Sequence, residues 1–242
     1  MPRERRLLRP DQLLITCEHG GNRVPARYRR AFAHAGPALA SHRGYDRGAL
    51  ELARELSRCL HAALVYSTIS RLLIELNRSL SHRHAFSPYA RRLPIPLREE
   101  LVARYYMPYR RAVEQQITRA VRRGRRMVHL SSHSFTPRRA GVLRTVDIGL
   151  LYDPHRSAEA AFCARWRQLL IARDARLRVR RNYPYRGSAD GLTTALRRQF
   201  PERAYLGIEL EVNQRFVRAG GDAWRELRAL LVDTFAEALR AR

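Results

Sequence analysis

Four stretches of this 242-residue sequence place chemically active side chains directly after or within short apolar runs: CEHGGN at 17–22, ELNRS at 75–79, SSHSFTP at 131–137 and IELEVNQ at 208–214. His19 and His133 both stand at the ends of such runs. Two neutral imidazoles arriving from different strands are the usual skeleton of a catalytic zinc site that keeps one position open for water. Taken singly, each histidine reads more readily as a turn or capping residue than as a ligand. Gly20 and Gly21 tilt the reading of His19 towards a site, because glycine lets backbone approach a bound ion or oxyanion closely. Glu209, flanked by Ile208 and Leu210, must be paired or catalytic, since an unpaired buried charge is costly. Glu211 shares its side of the strand by the two-residue period, so one of the two carboxylates is free to be structural. Two neighbouring carboxylates push one pKa upward, which suits proton transfer. Ser131, Ser132 and Ser134 flank His133 without a G-x-S-x-G setting, so a serine nucleophile is not expected.

These residues need a scaffold that brings strand ends together. The run at 12–17 reads as a buried parallel strand ending in a loop. From Asp46, a helix N-cap candidate, apolar residues recur at three and four. Strands are expected at 63–69, 71–77, 127–132, 147–152, 177–182 and 205–212. Helices are expected at 97–123 (closed by Gly124), 157–172, 189–199 and 222–241. Residues 79–96, rich in proline and serine, read as an active-site loop, and 1–11 as an irregular arm. Strands alternating with helices imply an α/β fold: a single domain over 1–242, three layers α/β/α, with a mostly parallel mixed sheet. In such sheets ligands bind beyond the carboxyl ends of the strands.

Composition narrows the function classes. An apolar fraction of 45% and a charged fraction of 29% are those of a globular protein. No apolar run of bilayer-spanning length and no signal-peptide pattern is visible, so no membrane partner and a cytoplasmic location are expected. Cys17, Cys59 and Cys163 are widely spaced and read as reduced thiols. The net charge of +25 would ordinarily suggest a nucleic-acid partner. All basic residues are arginines scattered along the chain, with no lysine, a distribution that fits GC-rich coding bias at surface positions better than a built polyanion site. No nucleic-acid-binding signature accompanies it. A basic nucleic-acid-binding protein therefore stands only as an alternative.

The segments CEHGGNRVP (17–25), HRGYDRGA (42–49), SRLLIELNR (70–78), HSFTP (133–137), NYPYRG (182–187) and IELEVNQ (208–214) resemble, in order and spacing, the N-formylglutamate amidohydrolase family. The resemblance covers about residues 12–217. It implies a carboxypeptidase-like (phosphorylase/hydrolase-like) fold, and a zinc-dependent enzyme acting on a small acidic N-acyl amino acid. It also implies His19 and His133 as zinc ligands and Glu209 as general acid and base towards a zinc-activated water. Where the wider carboxypeptidase-like set has HxxE, this chain has Asn22, a poor zinc ligand. Asp46 is then the candidate third ligand, with Glu18 as the other choice. Cobalt or manganese would suit the same donors. Asn77 and Arg78 resemble a pair that grips a substrate carboxylate, Arg71 is a candidate for a second carboxylate, and Tyr185 and Arg186 are candidate pocket residues. A related deacylase or carboxypeptidase-like hydrolase of another substrate is the alternative within enzymes.

Overall fold

The computed structural model of the chain describes residues 11–240; the arm expected at 1–11 lies outside them except for Asp11, whose carboxylate accepts from Arg126 at 2.6 Å. The main elements in chain order are strand β1 (Gln12–Cys17), helix α1 (Ala49–Leu60), β2 (Ala63–Tyr66), α2 (Ile95–Leu101) and α3 (Met107–Arg122), with short helical turns at Ala26–Phe32, Gly36–Leu39 and Ala90–Arg92 between them. Next come β3 (Met127–Phe135), the short arms β4 (Arg138–Arg139) and β5 (Val142–Leu143), β6 (Ile148–Leu151), α4 (Ser157–Arg173) and β7 (Val179–Arg181). The chain continues with α5 (Leu192–Gln199), β8 (Tyr205–Asn213), α6 (Gln214–Ala219) and α7 (Gly221–Arg240).

Six strands form one mixed sheet in the order β2-β1-β3-β8-β6-β7. The first four run parallel, β6 is antiparallel to β8, and β7 is parallel to β6. Strand alternation gives the sheet two unlike faces. One is apolar except at the end of β3, where Ser132 and Ser134 donate to the Ala49 and Arg47 carbonyls: Ile15, Cys17, Val128, Leu130, Leu206, Ile208, Leu210 and Val212 pack against α1, α4 and α7, with Trp166 and Phe235 edge to face at 4.9 Å. The other begins apolar with Leu14, Met127 and Tyr205 under α3 and α5. It then turns polar towards the carboxyl ends, where Thr16, Glu18, Ser131, His133, Glu209 and Glu211 follow. The result is an α/β fold with helices on both faces of a mostly parallel sheet, as expected, and with its polar residues gathered at one edge.

Several local expectations are corrected. Residues 71–77 form turns instead of a strand, although Leu72 to Asn77 are all buried. Periodicity cannot separate a short buried run from a strand. Here Ser70 Oγ bonds Gly44 O at 3.0 Å and Leu73 N bonds Ser70 O at 2.9 Å, folding the run back into the second core. The strand expected at 63–69 stops at Tyr66, and Ile69 makes only an isolated bridge to Arg23. The long helix expected at 97–123 runs from Ile95 to Arg122 but widens through a π-helical turn at Val102–Tyr106, two residues before Pro108, which has no N–H for a helical bond. Asp46 does not cap α1; Gly48 takes that place. The β4–β5 hairpin, turning through Ala140 and Gly141 at positive φ, and α6, capped by the Asn213 side chain on Arg215 N, were not anticipated.

Candidate metal centre and its surroundings

β1 and β3 are neighbours in register, so the residue just past the end of β1 and the last turn of polar residues on β3 project to one place. His19 and His133 lie there with ring centroids 5.0 Å apart, both buried. Asp46 enters from the turn before α1, its N–H bonding His19 O at 2.9 Å. Asp46 Oδ2 stands 3.2 Å from His19 Nδ1 and 3.0 Å from His133 Nδ1. Each of the three residues offers a donor atom within 4.8 Å of the others. Ligand atoms at zinc distances around a tetrahedron are separated by about 3.3 Å, so this spacing fits one divalent ion.

The far nitrogens of both rings are held by carboxylates. His19 Nε2 bonds Glu75 Oε1, and His133 Nε2 lies 3.0 Å from Glu18 Oε2. That is how metal-ligating histidines are oriented, the supporting carboxylate fixing the tautomer that frees the other nitrogen. Glu18, the other choice for third ligand, therefore sits behind His133 and not beside Asp46. It also accepts from Ser131 Oγ at 2.5 Å and Tyr109 Oη at 2.7 Å. Glu75 is pinned by Arg71, Nη2 at 2.6 Å and Nε at 2.9 Å, and Arg71 Nη1 reaches Asp46 Oδ1 at 3.2 Å.

Electrostatics follow from these contacts. Burial alone would raise the pKa of Glu18, but hydrogen bonds and charge from His133, with bonds from Ser131 and Tyr109, hold it far below the usual range. Burial likewise opposes Glu75 ionisation, and the Arg71 and His19 charges outweigh it. Burial and Arg71 push His19 down, while Glu75 and Asp46 more than restore it, leaving it raised. His133 is raised well above its ordinary value, the bonds to Asp46 and Glu18 overcoming burial. Glu211 behaves oppositely: burial, aided by Asp46 and Glu209, pushes it up to about 8 despite the nearby His133 charge. Its Oε2 is buried without a hydrogen-bond partner, and in the β3–β8 register it stands directly beside His133.

Glu209 is half-buried two residues deeper, opposite Ser131. Its Oε1 accepts from Thr193 Oγ1 at 2.6 Å, while Asn77 Oδ1 accepts from Leu192 N at 2.8 Å, both at the start of α5. Arg78 is half-buried and donates to Asp190 O, and its own carbonyl accepts from Tyr106 Oη at 2.8 Å. Tyr185 lies within electrostatic reach of Arg71. Arg186 is exposed; its carbonyl accepts from Ala189 N at 3.0 Å, and among the described residues no contact joins its side chain to the donor set. Gly20 and Gly21 make room for backbone, not for an ion: a Cβ on either would stand 2.8 and 2.7 Å from the carbonyls of Ser67 and Thr68. Sequence reasoning missed Glu75 and Tyr109. The signal for Glu75 was present, a lone carboxylate inside the apolar run LLIEL.

Taken together, the sheet and the buried histidine–aspartate–histidine cluster define an α/β protein with a candidate metal centre at its strand ends. A model of the N-formylglutamate amidohydrolase family matches residues 11–218, and the chain belongs to that family. Among solved structures it is similar to a gene product of Agrobacterium tumefaciens at 30% identity and a TM-score of 0.81, over 95% of this chain and 90% of that one. It is also similar to the N-formylglutamate amidohydrolase of Ralstonia eutropha JMP134, at 19% identity and a TM-score of 0.69, over 95% and 93% of the two chains. A metallo-carboxypeptidase from Burkholderia cenocepacia is a distant likeness, with a TM-score of 0.38 at 10% identity over 98% of this chain and 59% of that one. No curated protein sequence matches the chain.

Proposed function

We propose that this protein hydrolyses the amide bond of N-formylglutamate or a closely related N-acyl amino acid, with His19, Asp46 and His133 holding a divalent ion, zinc in the first instance. The observation that carries this reading is the set of two Nδ1 atoms and one carboxylate oxygen at ligand spacing, each imidazole backed by its own carboxylate. When bound, such an ion supplies Lewis acidity that acidifies water and polarises an acyl oxygen.

The chain's own groups do the rest. Glu18 and Glu75 keep the Nε2 protons in place, so both Nδ1 lone pairs face inward. A carboxylate of β8 takes the proton from the attacking water and delivers it to the departing amine. Of the two on that face, Glu211 suits this better than Glu209, because it flanks His133 in register and has an oxygen with no partner, whereas Glu209 is tied to Thr193. In this reading Asn77 and Arg78, beside α5, grip the α-carboxylate of the amino acid, Arg78 as a planar fork.

The test is hydrolysis of N-formylglutamate by protein stripped of metal with a chelator and then resupplied with zinc. Activity should vanish and return. A stripped preparation working at the full rate contradicts the proposal.

A further inference from the structure

Just beyond the donor set, one cation is held in position by two aromatic rings. Arg144 follows the β4–β5 hairpin, and its guanidinium carbon lies 5.7 Å from the Phe135 ring centre and 5.5 Å from that of Tyr185. Its backbone is fixed at both ends of the peptide unit: its N–H donates to Pro137 O at 2.8 Å and its carbonyl accepts from Asn213 Nδ2 at 3.1 Å. Among the described residues no carboxylate pairs with it; its nearest polar contact is a long 3.5 Å approach to Tyr185 Oη.

Position connects this cation to the site. Phe135 is two residues beyond His133 on β3, hence on the same face and about 6.6 Å further along the strand. Tyr185 lies within electrostatic reach of Arg71, and Arg139 stands 6.0 Å from the Tyr185 ring centre. Arg71, expected to serve a second substrate carboxylate, has its donors committed to Asp46 and Glu75, so that task needs another cation.

We propose that Arg144, clamped between Phe135 and Tyr185, binds the side-chain carboxylate of the substrate and so selects acidic over neutral N-acyl amino acids. The inference rests on the amidohydrolase reading and assigns the specificity of that same site. Two aromatic faces hold the guanidinium plane by cation–π attraction and leave its edge, where the N–H donors lie, available to a carboxylate. Because the arginine is already ordered, little conformational entropy is lost when the anion arrives.

The experiment compares N-formyl-L-glutamate with N-formyl-L-norleucine on the wild-type protein and on Arg144→Gln, Arg144→Lys and Arg138→Gln. The ratio of kcat/KM for the acidic over the neutral substrate should fall about 10- to 100-fold in Arg144→Gln, the size expected for losing a charge-assisted pair. Lysine should recover only part, lacking the planar fork. Arg138→Gln, whose exposed guanidinium turns to Gly141 O at 3.4 Å, should leave the ratio where it was. A ratio unmoved in Arg144→Gln, or moved equally by Arg138→Gln, overturns the assignment. Calorimetric binding of glutarate against butyrate gives a readout free of catalysis: wild type should prefer the diacid and Arg144→Gln should lose the preference. If the wild type hydrolyses neither substrate yet shows that Arg144-dependent preference, the amidohydrolase reading fails and this assignment stands. If the wild type hydrolyses and binds acidic and neutral compounds equally well, the assignment of Arg144 fails and the amidohydrolase reading stands.

Discussion

His133 is held at both ring nitrogens by carboxylates, Asp46 on the side of the donor set and Glu18 behind it. His19 repeats the arrangement with Asp46 and Glu75. Removing a supporting carboxylate should therefore loosen metal without deleting a ligand: Glu75→Gln or Glu18→Gln is expected to weaken zinc affinity about 10- to 100-fold, read by competition with a chromogenic chelator. Unchanged affinity would reduce both residues to core ion pairs. The β8 carboxylates are separable in the same way. Glu211→Gln should lower kcat by about 100-fold or more, while Glu209→Gln should cost less and chiefly in KM; the opposite ranking would return the proton-handling role to Glu209. Much of this was legible at the level of single residues. The two histidines could be picked out because they stood at strand ends, and Asp46 because its segment HRGYDRGA resembles the family and Asn22 leaves a ligand position to fill. Glu75 escaped because the run around it was read as a strand, which gave its charge no destination. The rule applied to Glu209, that a carboxylate among apolar neighbours must have a partner, would have found it.

At the scale of elements, the site exists because one face of β1, β3 and β8 changes from apolar to polar at a common height, and parallel register brings those heights together. Alternation predicts which side chains share a face but not which strands are neighbours, so the β1–β3–β8 adjacency had to come from the structure. The π-helical turn in the 95–122 helix is similar. Pro108 was visible, but its consequence, a wide turn that aims Tyr106 at the Arg78 carbonyl and Tyr109 at Glu18, depends on the packing below it. The seam between β6 and β8 offers a direct probe. At Gly149, paired with Glu211, an added Cβ would meet the Tyr183 carbonyl at 1.9 Å and Glu211 Cβ at 3.2 Å. Gly149→Ala should push away the 182–187 segment that carries Tyr185, costing about 1–3 kcal/mol as overpacking does and raising KM. Denaturant unfolding together with steady-state kinetics checks both. A variant with normal stability and normal KM would mean that this segment's seat on β6 is not needed.

For the molecule as a whole, the charge of +25 is partly internal. The buried Arg197 pairs with Glu159 at 3.0 Å and bonds the carbonyls of Gly187 and Gly207, and Arg156 bonds those of Tyr205, Arg197 and Phe200. These arginines serve as cross-links between elements, a use that composition alone could not separate from a solvated surface. No helix among the described residues is long and apolar enough to cross a membrane. Stability should carry the mark of one buried neutral base. His129, between Thr16 Oγ1 at 2.8 Å and Tyr205 Oη at 2.7 Å, is pushed by burial down to about 4. Between its ordinary value near 6.5 and 4 the unfolded chain takes up a proton that the folded chain refuses. This group therefore costs stability as pH falls through that window, by up to about 1.4 kcal/mol per pH unit. His129→Gln should flatten the decline in urea midpoint between pH 7 and pH 5, and parallel declines in variant and wild type would show that His129 is not its source. The central claim is that a divalent ion belongs between His19, Asp46 and His133. Anomalous diffraction from crystals grown with zinc, recorded on both sides of the zinc edge, addresses it most directly: the account predicts one strong peak touching His19 Nδ1, Asp46 Oδ2 and His133 Nδ1, and a map with no peak there, or with zinc only elsewhere, would contradict it.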